Sequence, residues 1–353
     1  MDRYVGLDAH AKTCTLAVVG PSGRRLTSKV IETNGQALIE AIRSIPDRVH
    51  LCLEEGTQSA WLHEILEPYV EEIIVTTPPE NKGPKDDLRD AWARAEELRI
   101  GAIRTRVYKA SRHLAGLRSA ASTFRIATRD VVRVKNRLKA LLRSRGIPAD
   151  SGVYDKDGRR DWFKQLPAFG YRPAAVWLGR ELDALEPLRQ DAKDWLLKEA
   201  KAHPIIRKLA TAPGMGPIGT AQLVGIVGTP HRFRTRHQFW SYSGLGIVTR
   251  SSSDWMRGRG GRWVRAEVHQ TRGLSRKRQP VLKSIFKTAA TTVIFRLPDD
   301  PLHANYQRMI ESGVKPNLAK LTLARRIAAI VLSMWKHEEA YDPNRQKPVT
   351  ENM

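Results

Sequence analysis

Within its first hundred residues the chain alternates strand-like and helix-like patterns in one fixed order, and that order narrows the possible folds more than any other feature. Residues 4–7 and 13–19 are short, apolar, partly β-branched runs; Pro21-Ser22-Gly23 is turn chemistry, and residues 24–32 return as a third strand. Asn34 is placed to cap a helix through Leu38 and Ile42. His50-Leu51-Cys52-Leu53 reads as a fourth, buried strand, residues 59–66 as a helix, residues 73–76 as a fifth strand and residues 87–100 as a helix. Alternation of this kind predicts a mixed sheet with covering helices.

Three strands in meander followed by helix, strand, helix and strand is the order of a ribonuclease H-like (RuvC-like) sheet. The character then changes at residue 101. Residues 101–149 carry 13 Lys and Arg and one acid, Asp130. Leu117, Ala120, Phe124, Ala127, Val131, Val134, Leu138 and Leu141 recur at spacings of three and four, which predicts a coiled-coil seam on one long helix ended by Gly146 and Pro148. Arg133, Lys135, Arg137 and Lys139 lie mostly off the seam, available to nucleic acid whether the seam pairs between chains or packs on its own domain. A second apolar-periodic segment runs over residues 178–195, with Pro187 expected to kink or interrupt it, and the two segments suit an antiparallel helical hairpin. Residues 205–290 form a region with Gly, Ser, Arg and Trp concentrated in loops, residues 318–335 one more amphipathic helix, and the last residues read as frayed. The expected architecture is α/β plus α: a mixed-sheet domain over 1–110, a basic coiled-coil helical region over 111–200, a mostly helical domain over 201–340 and a tail over 341–353.

The chain has 353 residues, with 60 Lys and Arg against 37 Asp and Glu, a net charge of +23. The charge is divided: residues 1–100 hold 12 bases and 17 acids, a balance of −5, and the remainder stands at +28. A basic surface of that size favours a phosphate backbone as partner. The apolar run at residues 327–332 is far short of the ~20 residues of a membrane span, and the start carries no signal-peptide pattern, so a cytoplasmic protein is expected. Two cysteines in apolar runs, Cys14 and Cys52, exclude a disulfide framework and a multi-cysteine zinc site.

Three constellations can carry chemistry. Asp8 ends the first strand, Glu54 ends the fourth, and Asp87 and Asp90 share one face of a helix's first turn. Carboxylates within ~5 Å repel by a few kcal/mol per pair at an effective dielectric of about 20, so their convergence calls for a cation, and oxygen ligands suit Mg²⁺ or Mn²⁺. Taken singly, Asp87 and Asp90 also fit favourable charges at a helix N-terminus, and Glu54 or Glu55 a solvated strand end. A sugar-kinase or actin-like ATPase also begins with a strand ending in Gly-x-Asp, but the Gly-rich phosphate loops it needs are missing. The second constellation, Pro213-Gly214-Met215-Gly216-Pro217, matches a helix-hairpin-helix turn, with Gly214 and Gly216 freeing backbone N–H groups for phosphate. The third is Thr249-Arg250-Ser251-Ser252-Ser253-Asp254, either an ordinary polar loop or a serine nucleophile beside a phosphate-neutralising arginine. Downstream, Arg272, Arg276, Lys277 and Arg278 form a basic loop, and Trp255 and Trp263 offer stacking surfaces.

Tyr4-Val5-Gly6-Leu7-Asp8 with Lys12, His50-Leu51-Cys52-Leu53-Glu54 and Lys85-Asp86-Asp87-Leu88-Arg89-Asp90-Ala91 together resemble the DEDD transposases of the insertion-sequence one-ten family, whose third motif is Lys-Thr-Asp-x-x-Asp-Ala. Ala212 through Gly216, Phe233, Gly244-Leu245, Ser251-Ser252 and Gly273-Leu274-Ser275-Arg276 are similar to that family's second domain. The resemblance implies an RNA-guided recombinase. Its RuvC-like domain would hold a divalent metal through Asp8, Glu54, Asp87 and Asp90, and Ser252, nine residues into the motif beginning Gly244-Leu245 and flanked by Ser251 and Ser253, would join covalently to DNA. A structured noncoding (bridge) RNA would pair with donor and target DNA, leaving the protein to read shape and backbone. A dimer, doubled to a tetramer at synapsis, would bring the carboxylates of one subunit to the serine of another. Two other functions fit the same residues: a metal-dependent structure-specific nuclease or junction resolvase with water as nucleophile, and a catalytically silent nucleic-acid-binding protein.

Overall fold

The computed structural model describes residues 1–78, 86–109, 112–252, 255–258, 261–265, 269–274 and 278–345. Its contacts divide the chain into two compact units, Met1–His113 and Leu114–Met353.

The first unit contains β1 (Asp2–Ala9), β2 (Thr13–Val19), β3 (Arg25–Glu32), α1 (Gly35–Arg43), β4 (Arg48–Glu54), α2 (Ser59–Leu66), β5 (Glu72–Thr76) and α3 (Asp87–Arg99), the expected elements in the expected order. They build one five-stranded sheet of order β3-β2-β1-β4-β5. β1, β2 and β3 are antiparallel neighbours, whereas β4 runs parallel to β1 and β5 parallel to β4. Period-two alternation gives the sheet two faces. Val5, Leu7, Leu16, Val18, Leu51 and Leu53 point to one side and pack with Leu38 and Ile42 of α1 and Leu62 and Leu66 of α2. Asn34 caps α1 as its sequence position suggests, its Oδ1 accepting from the Gln36 amide at 2.8 Å.

α3 covers the other face. Buried Ala91 and Ala95 let it lie close to β1, and the approach is tightest at Gly6, where a Cβ would stand 2.0 Å from the Ala91 carbonyl oxygen and 2.7 Å from the Ala95 nitrogen. No side chain larger than hydrogen fits there. Cys14 and Cys52 are both buried and unpaired.

The second unit opens with α4 (Ala115–Arg143), followed by α5 (Arg159–Lys164), α6 (Tyr171–Ala200), α7 (Pro204–Leu209), α8 (Pro217–Val227) and α9 (Arg236–Tyr242). Four strands come next, β6 (Ile247–Ser252), β7 (Trp255–Arg257), β8 (Trp263–Arg265) and β9 (His269–Leu274), and then α10 (Pro280–Arg296), α11 (Pro301–Glu311) and α12 (Pro316–His337). The apolar seam of α4 is buried inside this unit: Val131 and Val134 meet Leu182 of α6, and Leu138 and Leu142 meet Ala175 near its start. The two helices therefore run in opposite senses, as a hairpin.

Three expectations need correction here. Pro187 does not interrupt α6, which is one helix from Tyr171 to Ala200. The lost hydrogen bond and ring clash cost about 3 kcal/mol, but one unbroken helix buries Leu182 and Leu196 completely against its neighbours, worth about 1.5–3 kcal/mol each. Nor are residues 249–252 a loop, since they lie in β6, antiparallel to β9, with Ser252 opposite His269 and Arg250 opposite Thr271. The stretch lacks apolar alternation, and its strand character comes from a partner some twenty residues downstream. The tail is also packed further than a frayed end from residue 341 would be, because the Tyr341 amide donates to Thr211 Oγ1 at 2.8 Å.

Candidate metal centre

Gly6 sets the site. With no side chain at that position α3 sits down on β1, and its first turn arrives beside Asp8, two residues further along the same sheet face. Asp86 fixes where the helix begins, its Oδ1 accepting from the amides of Leu88 at 3.1 Å and Arg89 at 3.3 Å. Where the resembled motif has Thr, this chain has Asp, and both residues serve as N-caps. Asp87 is therefore the first helical residue, and Asp90 lies three residues on, in the same turn.

Asp8 and Asp87 converge, and the residue between them is His10. His10 Nε2 lies 3.1 Å from Asp8 Oδ2 and 3.1 Å from Asp87 Oδ1. Ligand atoms of Asp8, His10 and Asp87 all fall within 4.8 Å of one another, the grouping among the described residues that could hold a metal ion. Burial raises the Asp8 carboxyl above its ordinary value; His10 pulls it down, and the charges of Asp87 and Glu54 push it up again. Burial opposes charge on His10, but Asp8 and Asp87 together outweigh it, so the imidazole is raised. One nitrogen cannot fully satisfy two carboxylates. Hard oxygens, one imidazole and a half-exposed mouth fit Mg²⁺ or Mn²⁺ with water completing the shell. A cavity of 610 Å³ lined by Thr15, Ser28, Lys29, Val30 and the Asp86-Asp87-Leu88 turn opens alongside.

Glu54 and Asp90 stand outside this tight group. Glu54 ends β4 one residue past the Leu7–Leu53 pair, hence next to Asp8, but its Oε1 accepts from Arg94 of α3, from Nε at 2.9 Å and from Nη2. Adjacent Glu55 turns elsewhere, to Lys109 and Ser59. His10 and Arg94 are the two participants that sequence reasoning did not name. Each had a signal: His10 is two residues past Asp8, just beyond the end of β1, and Arg94 continues the α3 stripe through Asp87, Asp90 and Ala91.

In the second unit, Ser252 ends β6, and Ser251 and Arg250 precede it in the strand. Ser253, Arg276 and Lys277 lie outside the described residues. Arg278 is exposed just ahead of α10. The turn at Pro213–Gly216 has Gly214 at φ +74° with a hypothetical Cβ 2.2 Å from the Ala289 carbonyl oxygen of α10, so Gly214 is held by packing. Gly216 precedes α8 at its N-terminus with open space around it. A cavity of 890 Å³ adjoins the turn, lined also by Ser284, Thr288 and Tyr341. Arg133 and Arg137 are exposed on α4, but they face Asp130 at 3.1 Å and Glu181 at 3.9 Å.

Among the described residues no helix is long and apolar enough to cross a membrane. No curated protein matches the chain. Residues 206–307, from α7 into α11 and including both the Pro213–Gly216 turn and β6, match the family model described as Transposase IS116/IS110/IS902 family, a match that supports a transposase acting on DNA.

Proposed function

We propose that this protein is an insertion-sequence transposase that cuts and rejoins DNA through a divalent-metal carboxylate centre and a serine nucleophile. The observation that carries the reading is the meeting of Asp8 and Asp87 around His10 at the end of the central strands, in a chain whose residues 206–307 match a transposase family. The sheet order β3-β2-β1-β4-β5, with its antiparallel meander and two parallel strands, supports a ribonuclease H-like (RuvC-like) domain as the carrier of that centre. Asp8, Asp87 and His10 would hold Mg²⁺ or Mn²⁺, with Glu54 and Asp90 at its margin. A bound cation there would act as Lewis acid on the scissile phosphate.

Ser252 Oγ would form the bond to phosphorus while the departing sugar oxygen takes the electron pair and a proton. The phosphoserine ester keeps the energy of the broken phosphodiester, and attack on it by a second strand's hydroxyl rejoins DNA and frees the serine without ATP. Arg250, Arg278, Arg276 and Lys277 would neutralise the phosphates, and Gly214 and Gly216 would offer the amides of their turn. Guidance by a structured noncoding RNA, and a dimer that doubles for strand exchange, follow from the family resemblance; the basic second unit gives an RNA a surface to bind.

A structure-specific nuclease is the second reading, favoured by the completeness of the Asp8–His10–Asp87 group without any serine. One experiment separates them. The protein is incubated with Mg²⁺, flanking RNA, donor and target DNA, and protein joined covalently to a cut strand is sought. Wild type should give the adduct, while Ser252→Ala and Asp8→Ala should not. Cleavage by Ser252→Ala at the wild-type rate would establish the nuclease instead, and adduct undiminished by Asp8→Ala would remove the metal role.

A further inference from the structure

The way Arg94 grips Glu54 is unlike an ordinary buried ion pair. Arg94 is 5% exposed on the sheet-facing side of α3. Two of its donors, Nε at 2.9 Å and Nη2, converge on a single oxygen of Glu54, Oε1, and Nη1 donates to Glu97 Oε2 at 2.7 Å. A pair selected for strength alone would engage both carboxylate oxygens fork to fork. Here Oε2 of Glu54 accepts no hydrogen bond from the described residues, and the side chain is 26% exposed. Glu54 is also next to Asp8 in the sheet, one residue beyond the Leu7–Leu53 pair, and Arg94 is on the helix that carries Asp87 and Asp90.

We infer that Arg94 is a positioning residue that pins Glu54 by one oxygen and keeps the other free as a ligand for a divalent cation held at Asp8 and Asp87. The inference rests on the metal centre proposed above. Arg94 contributes twice. Its fork fixes the Glu54 rotamer before any cation arrives, and its charge offsets the carboxylate that lies beside the Asp8–Asp87 pair, so that the ligand set can assemble in the metal-free protein. Partners that orient a metal's ligands in this way typically alter affinity about 10- to 100-fold when removed.

The test is Mn²⁺ binding to the full chain by isothermal titration calorimetry, with melting in EDTA as a separate readout. Arg94→Lys keeps the charge but loses the fork and should raise the Mn²⁺ Kd about tenfold. Glu54→Gln should weaken binding similarly, and adding Arg94→Lys to it should change the Kd less than about twofold, because the arginine acts through that carboxylate. Glu97→Gln removes the other partner of Arg94 and should lower the melting temperature while leaving the Kd near wild type. A wild-type Kd in Arg94→Lys, or a loss equally large in the Glu54→Gln background, overturns the inference. Asp8→Asn and Asp87→Asn decide the underlying reading separately. If both abolish Mn²⁺ binding and Arg94→Lys does not affect it, only the role of Arg94 falls; if neither affects it, or the wild type binds no Mn²⁺, the metal centre falls and the inference with it.

Discussion

Gly6→Ala is the sharpest mechanical test of how the site is built. The new Cβ would lie 2.0 Å from the Ala91 carbonyl oxygen, 2.7 Å from the Ala95 nitrogen and 3.0 Å from the Ala91 carbonyl carbon. All three are backbone atoms of α3, so no rotamer change relieves the clash. Ordinary C···O contacts begin near 3.3 Å, so the helix must withdraw by about 1.3 Å at that point. Overpacking of this kind costs about 1–3 kcal/mol, or roughly 10 °C of melting temperature for a domain of about a hundred residues. The same withdrawal lifts Asp87 from Asp8 and stretches the Arg94–Glu54 contact. Misplacement of catalytic groups by about 1 Å is worth about a hundredfold in rate. Melting of the full chain by circular dichroism and the yield of covalent protein–DNA adduct measure the two effects. Gly56→Ala is the control, since nothing lies within 4 Å of a Cβ there. If Gly6→Ala melts with the wild type and forms adduct at the wild-type rate, the close seating of α3 is not what assembles the carboxylates.

Gly214→Ala should destabilise the second unit by several kcal/mol, because the residue has φ +74° and its Cβ would stand 2.2 Å from backbone of α10; Gly216→Ala, with open space around it, should melt as wild type. Burial pushes the Cys52 thiol up to about 12 from its ordinary 9.0, and burial raises Cys14 as well. Ellman's reagent at pH 8 should therefore find neither thiol in the native protein and both after denaturation. Because the folded value of Cys52 lies above the unfolded one, its contribution to stability is fully present below pH 9 and is lost as pH rises towards 12. Cys52→Ala should flatten that alkaline loss in a melting-against-pH series.

The first unit was legible in the sequence because its strands obey local rules. Alternating Val5 and Leu7, the buried run Leu51-Cys52-Leu53 and capping Asn34 each announce their element within a few residues. Asp8, Asp87 and Asp90 were legible for the same reason, as strand-end and first-turn acids. What bound them to other residues was not legible. The pairing of Arg94 with Glu54 spans 40 positions and depends on how closely α3 approaches the sheet. Nothing local marks β6 either: Thr249-Arg250-Ser251-Ser252 has the composition of a loop and becomes a strand only because β9 supplies its hydrogen bonds. Pro187 shows the opposite case, since the interruption a local rule allows is outweighed by burial along a 30-residue helix.

The structure also changes what the charge asymmetry means. Drawn at residue 100, the boundary leaves an acidic N-terminal part; drawn where the contacts divide the chain, at His113, it adds Arg104, Arg106, Lys109 and Arg112 to that part. The first unit then holds 16 bases against 17 acids, a balance of −1, and the second +24. Three of the four added bases are already matched within the unit: Arg106 reaches Glu72 at 3.0 Å, Arg112 reaches Glu64 at 3.0 Å and Lys109 meets Glu55. A base that answers a glutamate has less to offer a phosphate, so Arg106, Lys109 and Arg112 tie back into their own unit rather than start a nucleic-acid surface. Nor does a balance of −1 draw a cation from a distance. At physiological salt, charges more than about 8 Å apart are largely screened, so what a metal ion would meet is the local set of Asp8, Asp87 and Glu54, offset by His10 and Arg94. Under the proposed function, cation selection in the first unit would thus be a matter of a few ångströms around α3, whereas the charge available to attract nucleic acid lies in the unit from Leu114 onward.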